Sequence, residues 1–203
     1  MTRRHAQGWR AALATALVVT VTGCASDRER IEAIRAVNGT FRAEYEAILA
    51  EHGSKTFKLS RHDAFVAMRV TLAGLGLHTE AQDVALGYLV VAGPAPLPLS
   101  ADEWSRVATA DLPLLRRLAE PHVGFASHFV RFEPQGLDVV ISASFVETTA
   151  GTEIALTVRL RETVPPRSQW PRREYLSPSA VRAGLDKIWA AFADELRAGP
   201  QHF

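Results

Sequence analysis

LDVVISASFVETTAGTEIALTVRLRETV, residues 137–164, is the stretch that decides the fold. Two runs rich in β-branched residues, 137–148 and 153–164, flank Thr149-Ala150-Gly151-Thr152, a turn-like quartet built around a glycine. In the second run Ile154, Leu156, Val158 and Leu160 fall on one side of a period-two alternation, while Thr157, Arg159 and Arg161 fall on the other. A strand patterned in this way buries one face and wets the other, so the segment predicts an antiparallel meander that needs cover on one face only. A further run, 128–133, precedes it across Pro134-Gln135-Gly136 and is expected to be another strand.

Helices on both sides of this meander in the chain carry the stripes to cover it. Ser177 and Pro178 have the composition of a helix start, and Val181, Leu185, Ile188, Trp189, Phe192 and Leu196 follow as a broad apolar stripe ended by Gly199-Pro200. Earlier, Ser60 with Asp63 opens a helix whose buried face is Phe65, Met68, Leu72 and Leu75. Short strands are expected at 55–59, 77–82 and 86–92. The proline-rich 93–98 reads as a stiff extended connector. After it, Ser100 with Glu103, and then Asp111 with Pro113, each open a short helix, which makes about 100–120 a helical insertion. The fold class is therefore α+β: an antiparallel sheet of about five to six strands with helices on one face.

Ahead of the sheet, Ile31, Ile34, Val37, Phe41, Tyr45, Ile48 and Leu49 recur at three- and four-residue steps, so 27–52 is expected to be helical, with Gly39 a place where it can bend or split. One straight helix of that length would measure about 39 Å. It can stand as a stalk or lay its stripe on the domain, and the stripe favours packing.

The amino-terminal 23 residues have a different character. MTRRHAQGWR is a positive n-region, AALATALVVTV an apolar core too short for the roughly 20 residues of a membrane-spanning helix, and Thr22 and Gly23 are small. Together they read as an export signal. They lead into Cys24, the only cysteine of the chain, which cannot form an internal disulfide. Val21-Thr22-Gly23-Cys24 resembles the lipobox of bacterial lipoproteins. That resemblance implies cleavage before Cys24, diacylglycerol on its thiol and acylation of the new amino terminus, so that the mature chain is membrane-anchored and extracytoplasmic. Ala25, not aspartate, stands second in the mature chain, which in enteric-type sorting favours the outer membrane. The element order over about 55–198 also resembles the helix-grip domains of the lipoprotein subunit of the outer-membrane β-barrel assembly machinery; no residue motif accompanies that likeness, so no functional residue is carried over.

Composition narrows the function classes. The signal takes Arg3, Arg4 and Arg10 with it and leaves 20 basic against 22 acidic residues, which is no electrostatic footprint for nucleic acid. No nucleophile motif is present, the seven histidines show no zinc spacing, and neither a cofactor nor a metal is expected. Glu80 and Asp83 are the one carboxylate pair that suggests acid–base chemistry. In the segment 165–175, Arg167, Trp170, Arg172 and Arg173 among prolines have the composition of a binding hot spot and form the candidate partner-binding loop. The leading expectation is a non-enzymatic, lipid-anchored envelope lipoprotein that binds or supports an envelope protein complex. The alternatives are an anchored hydrolase of envelope polymers and a binder of a small apolar ligand, with its pocket between the sheet and the closing helix.

Overall fold

The computed structural model describes residues 26–164, 171–173 and 175–199. In chain order these form α1 (Asp27–His52), β1 (Ser54–Phe57), α2 (Arg61–Gly74), β2 (His78–Asp83), β3 (Tyr88–Pro94), α3 (Ala101–Val123), β4 (Leu137–Thr148), β5 (Gly151–Glu162) and α4 (Pro178–Ala198). The strands make one antiparallel sheet in the order β1-β5-β4-β3-β2. The expected α+β class holds, with five strands.

At the centre, β4 and β5 pair along their whole length, from Leu137 opposite Glu162 to Thr148 opposite Gly151. Their alternation does what the sequence indicates: Val139, Ile141, Phe145, Ile154, Leu156 and Val158 are buried on one face. α2 begins after β1 at one edge and delivers the chain to β2 at the other, so it must cross the sheet, and it contacts β2 to β5 on the way. α4 packs beside it. Phe65 meets Phe145 at 5.2 Å between ring centroids and Phe57 meets Phe192 edge-on at 4.9 Å. Phe65, Phe145 and Phe192 are buried and Phe57 partly so, and a fully buried ring contributes about 1.5–3 kcal/mol.

α1 packs on this core; it is not a stalk. Tyr45 and Ile48 are buried, and the Tyr45 hydroxyl accepts the Val158 N–H at 3.3 Å. That bond has a topological cause. β1 is only four residues long and its pairing ends at Ser54 opposite Ala155, so β5 runs on with an open edge that α1 covers. The indole N–H of Trp189 closes the other end of α1 by donating to the His52 carbonyl at 2.8 Å. Gly39 neither bends nor splits the helix; it lies on an exposed side with open space around it.

Four expectations are corrected. Residues 128–133 are not a strand: Gly124–Phe129 is a 3₁₀ turn and the chain beyond it runs outside the sheet. Both neighbours of β4 are already taken by β3 and β5, and Phe132 instead stacks on Phe41 of α1 at 5.9 Å. The two short helices are a single helix, α3, which runs through Pro113 and Pro121 because α1 and α4 brace it from both sides. The connector after β3 is not extended but turned, with Leu97 N–H donating to the Pro94 carbonyl and Leu99 N–H to that of Pro96. Lastly, Ser177 holds the N-cap position of α4 but makes no side-chain cap bond. Asp111, from the middle of α3, caps it instead, accepting the Ser179 backbone N–H at 2.8 Å and the Ser179 hydroxyl at 2.7 Å.

Candidate functional site

The stripe of α1 divides at Phe41. Beyond it, Tyr45 and Ile48 enter the core; before it, Ala33, Ile34, Val37 and Phe41 face the second half of α3, where Leu115, Ala119 and Val123 look back. Leu137 at the start of β4 and Leu160 near the end of β5 form a wall, and Leu176 closes one side. Between them is a pocket of about 330 Å³, open to solvent on one side and apolar in its walls. Small side chains, Ala33 and Ala119, line it from the two facing helices. Its volume lies at the lower end of the range of small-molecule sites.

Polar groups are few and placed at the border. Arg30 from the first turns of α1 and Arg131 beyond the 3₁₀ turn are exposed and have no partner among the described residues. Arg173 lines the same pocket and is held by Glu162 at 3.0 Å, a carboxylate whose side chain is 8% exposed and whose second oxygen is unpartnered. Ser177 lines it too, 1% exposed, with a hydroxyl that finds no hydrogen-bond partner. The orphan follows from the exchange of caps, since Asp111 has taken the N–H that Ser177 would otherwise serve. A buried hydroxyl left unpaired is worth about 1–3 kcal/mol of lost stability, which a bound polar group could restore.

The arrangement suits an elongated apolar body with an acidic or hydrogen-bonding end. The apolar binder was expected to use the space between the sheet and α4, where Leu185, Ile188 and Phe192 are fully buried; the pocket described lies instead between α1 and α3. In the sequence the cavity was signalled only by an α1 stripe that continues from Phe41 back to Ile34, about two turns beyond what the core uses.

Of the candidate binding loop, Arg172 and Arg173 are described, and Arg167 and Trp170 lie outside the described residues, as do the lipobox and Cys24. The Arg172 carbonyl accepts from Asn38 Nδ2 at 2.9 Å, so this part of the loop is tied to α1 at the edge of the pocket. Glu80 and Asp83 are not brought together around a cavity. Glu80 takes a two-pronged bond from Arg161 at 2.6 and 2.8 Å, and Arg161 also reaches Asp138 at 3.1 Å. That guanidinium holds Glu80 below the usual carboxylate range, the opposite of what a general acid needs. Asp83 accepts the Leu86 N–H in the turn after β2. His122 ends α3, and His128 lies 5.2 Å from the Phe125 ring. Among the described residues no three of histidine, cysteine, aspartate and glutamate are grouped to hold a metal, and no helix is long and apolar enough to cross a membrane. Comparison with protein-family models, with curated proteins and with solved structures found no match to this chain.

Proposed function

We propose that this chain is a lipid-anchored envelope lipoprotein, non-enzymatic, whose folded domain binds an apolar ligand in the pocket between α1 and α3. The observation that carries this reading is the pocket itself: apolar walls from α1, α3 and the start of β4, with exposed arginines at its border. The anchor rests on Val21-Thr22-Gly23-Cys24, which stands three residues before the first helix. One experiment addresses each part. A fatty-acid analogue fed to cells should label the wild type and not Cys24→Ala; equal labelling refutes the anchor. The purified protein should take up a fluorescent fatty acid, and Ala119→Phe, which fills the pocket from α3, should abolish uptake without unfolding the domain. Uptake unchanged by that substitution refutes the site.

Support of an envelope protein complex is the second reading. The face of the sheet turned away from α2 and α4 favours it: Tyr88 and Val146 are exposed there, and Ser142 and Thr157 keep its centre flat. A stoichiometric partner recovered from detergent-solubilised envelope, and lost with Val146→Glu, would support that reading; a protein that always runs alone would count against it.

A further inference from the structure

We propose that the turn Gly124–Phe129 is a second membrane contact, which holds the mouth of the apolar pocket against the bilayer in which the lipid anchor sits. The inference rests on the lipid-anchored reading above.

The turn presents two aromatic rings to solvent. Phe125 is 76% and Phe129 68% exposed, and their ring centroids lie 5.7 Å apart, edge to face. Single exposed apolar residues are ordinary, but two phenylalanines packed on each other in water forgo burial that neither needs to lose. The turn beneath them is well built. Ser127 is buried inside it, and its carbonyl accepts the Val130 N–H at 3.1 Å. The rings are therefore displayed by a formed element.

Position supplies the occupant. Val123 and Val130, which bracket the turn, both line the pocket, and so does Arg30 from the first turns of α1. The aromatic pair, the pocket mouth and the beginning of α1 thus share one end of the domain. Asp27 follows Cys24 by three residues, which extended span at most about 11 Å, so a lipid on Cys24 is confined to that same end. Acyl chains on one residue tether a domain without orienting it; a second apolar contact both strengthens the hold and fixes the face turned to the membrane. Aromatic rings suit the interfacial layer. Arg30 and Arg131, both exposed and without partners among the described residues, can meet headgroup phosphates, but with Arg28 they are balanced by Asp27, Glu29 and Glu133, so the rings and not net charge carry the contact. Glu29, also nearby, is engaged by Ser26 in the capping box of α1. With this face down, a ligand with an apolar tail could pass between bilayer and pocket without crossing water.

The opposite end of the domain supplies the control. The turn joining β4 to β5 lies a full 12-residue strand away, about 40 Å. The full lipidated chain, with Phe129→Cys, Phe125→Cys or Ala150→Cys, is reconstituted into phosphatidylethanolamine–phosphatidylglycerol vesicles and labelled with a polarity-sensitive thiol fluorophore. Since Cys24 is the only native cysteine and is blocked by its lipid, the label reports on the introduced site alone. Emission at 129 and 125 should shift to the blue and be quenched at least twofold by brominated lipids, while emission at 150 stays that of water. Water-like emission at all three positions on protein that floats with the vesicles overturns the docking proposal and leaves the anchor standing. Protein that fails to float overturns both. A blue shift at 129 that appears only when solubilised envelope proteins are added assigns the turn to a protein partner and likewise overturns it.

Discussion

The exchange of caps at the start of α4 gives a prediction that runs against the plain reading of the sequence. Ser177 followed by proline has the composition of a helix start, so Ser177→Ala would ordinarily cost about 1 kcal/mol. In this fold its hydroxyl is 1% exposed and unpartnered, so Ser177→Ala removes an unsatisfied polar atom and should leave stability unchanged or slightly raised. The cost falls on Asp111. Its carboxylate, in a residue 9% exposed, accepts two hydrogen bonds from Ser179 at 2.7 and 2.8 Å and lies at the positive end of a 21-residue helix. A charge-assisted bond to a partly buried donor contributes about 1.5–3 kcal/mol, offset by the desolvation of the carboxylate, so Asp111→Ala should destabilise by about 2 kcal/mol. Asp111→Asn, which keeps one acceptor, and Ser179→Ala, which removes one donor, should each lose about 1 kcal/mol. For a domain of this size the first change lowers Tm by roughly 4–8 °C. Urea unfolding followed by circular dichroism, with all four variants at matched slope, measures these differences. Asp111→Ala within 0.5 kcal/mol of the wild type, or Ser177→Ala as costly as Asp111→Ala, would falsify the assignment of the cap.

The other predictions concern the pocket, pH and the sheet edge. A series of saturated fatty acids displacing a fluorescent one should gain about fourfold in affinity per CH₂, the equivalent of ~0.8 kcal/mol, until the roughly 330 Å³ is full; a flat series refutes apolar binding there. Glu103, bonded to Lys187 at 2.5 Å and to the Ser100 N–H, has its pKa lowered to about 2. Because the folded value lies below the unfolded one of about 4.3, this group contributes stability fully above pH 4.3 and loses it as pH falls toward 2. Lys187→Met should thus be less stable than the wild type by on the order of 1 kcal/mol at pH 6, with the gap narrowing below pH 4; a constant gap across that range would contradict the assignment. Tyr45→Phe leaves the Val158 N–H facing no acceptor and should cost about 1–2 kcal/mol and accelerate exchange of that amide, whereas unchanged protection would show that something else covers the edge of β5.

The parts of the fold that were legible are those whose cause is local. The alternation in β5 states which side is buried because period two is a property of the strand alone, and the stripe of α4 does the same at period 3.6. Residues 128–133 alternate as well, but alternation does not say whether a sheet edge is free to receive a strand, and here none beside β4 is. The cap of α4 was illegible for a related reason: its carboxylate comes from 68 residues away, and the serine in the right place is a bystander. Of the candidate partner-binding loop, Arg173 lines the pocket, where it is held by Glu162, which nothing in the loop announces. Ala33 and Ala119 were invisible as site residues. An alanine on an apolar stripe is neutral until its surroundings are known, and here both line the pocket from its two bordering helices.

That cavity is not the leftover of a poor core. Elsewhere Met68, Leu72, Ile141, Ile154, Leu185 and Phe192 are all fully buried and in one cluster. The helices bordering the pocket are each fixed at points away from it: α1 by Tyr45 on Val158 and by Trp189 on His52, α3 by Asp111 on Ser179 and by Glu103 on Lys187. These ties hold the two helices at points outside the pocket, and α1 and α3 also pack directly on one another. The state of Ser177 belongs to the same arrangement: Asp111 caps α4 through Ser179 and leaves the hydroxyl of Ser177, a residue that lines the pocket, without a hydrogen-bond partner.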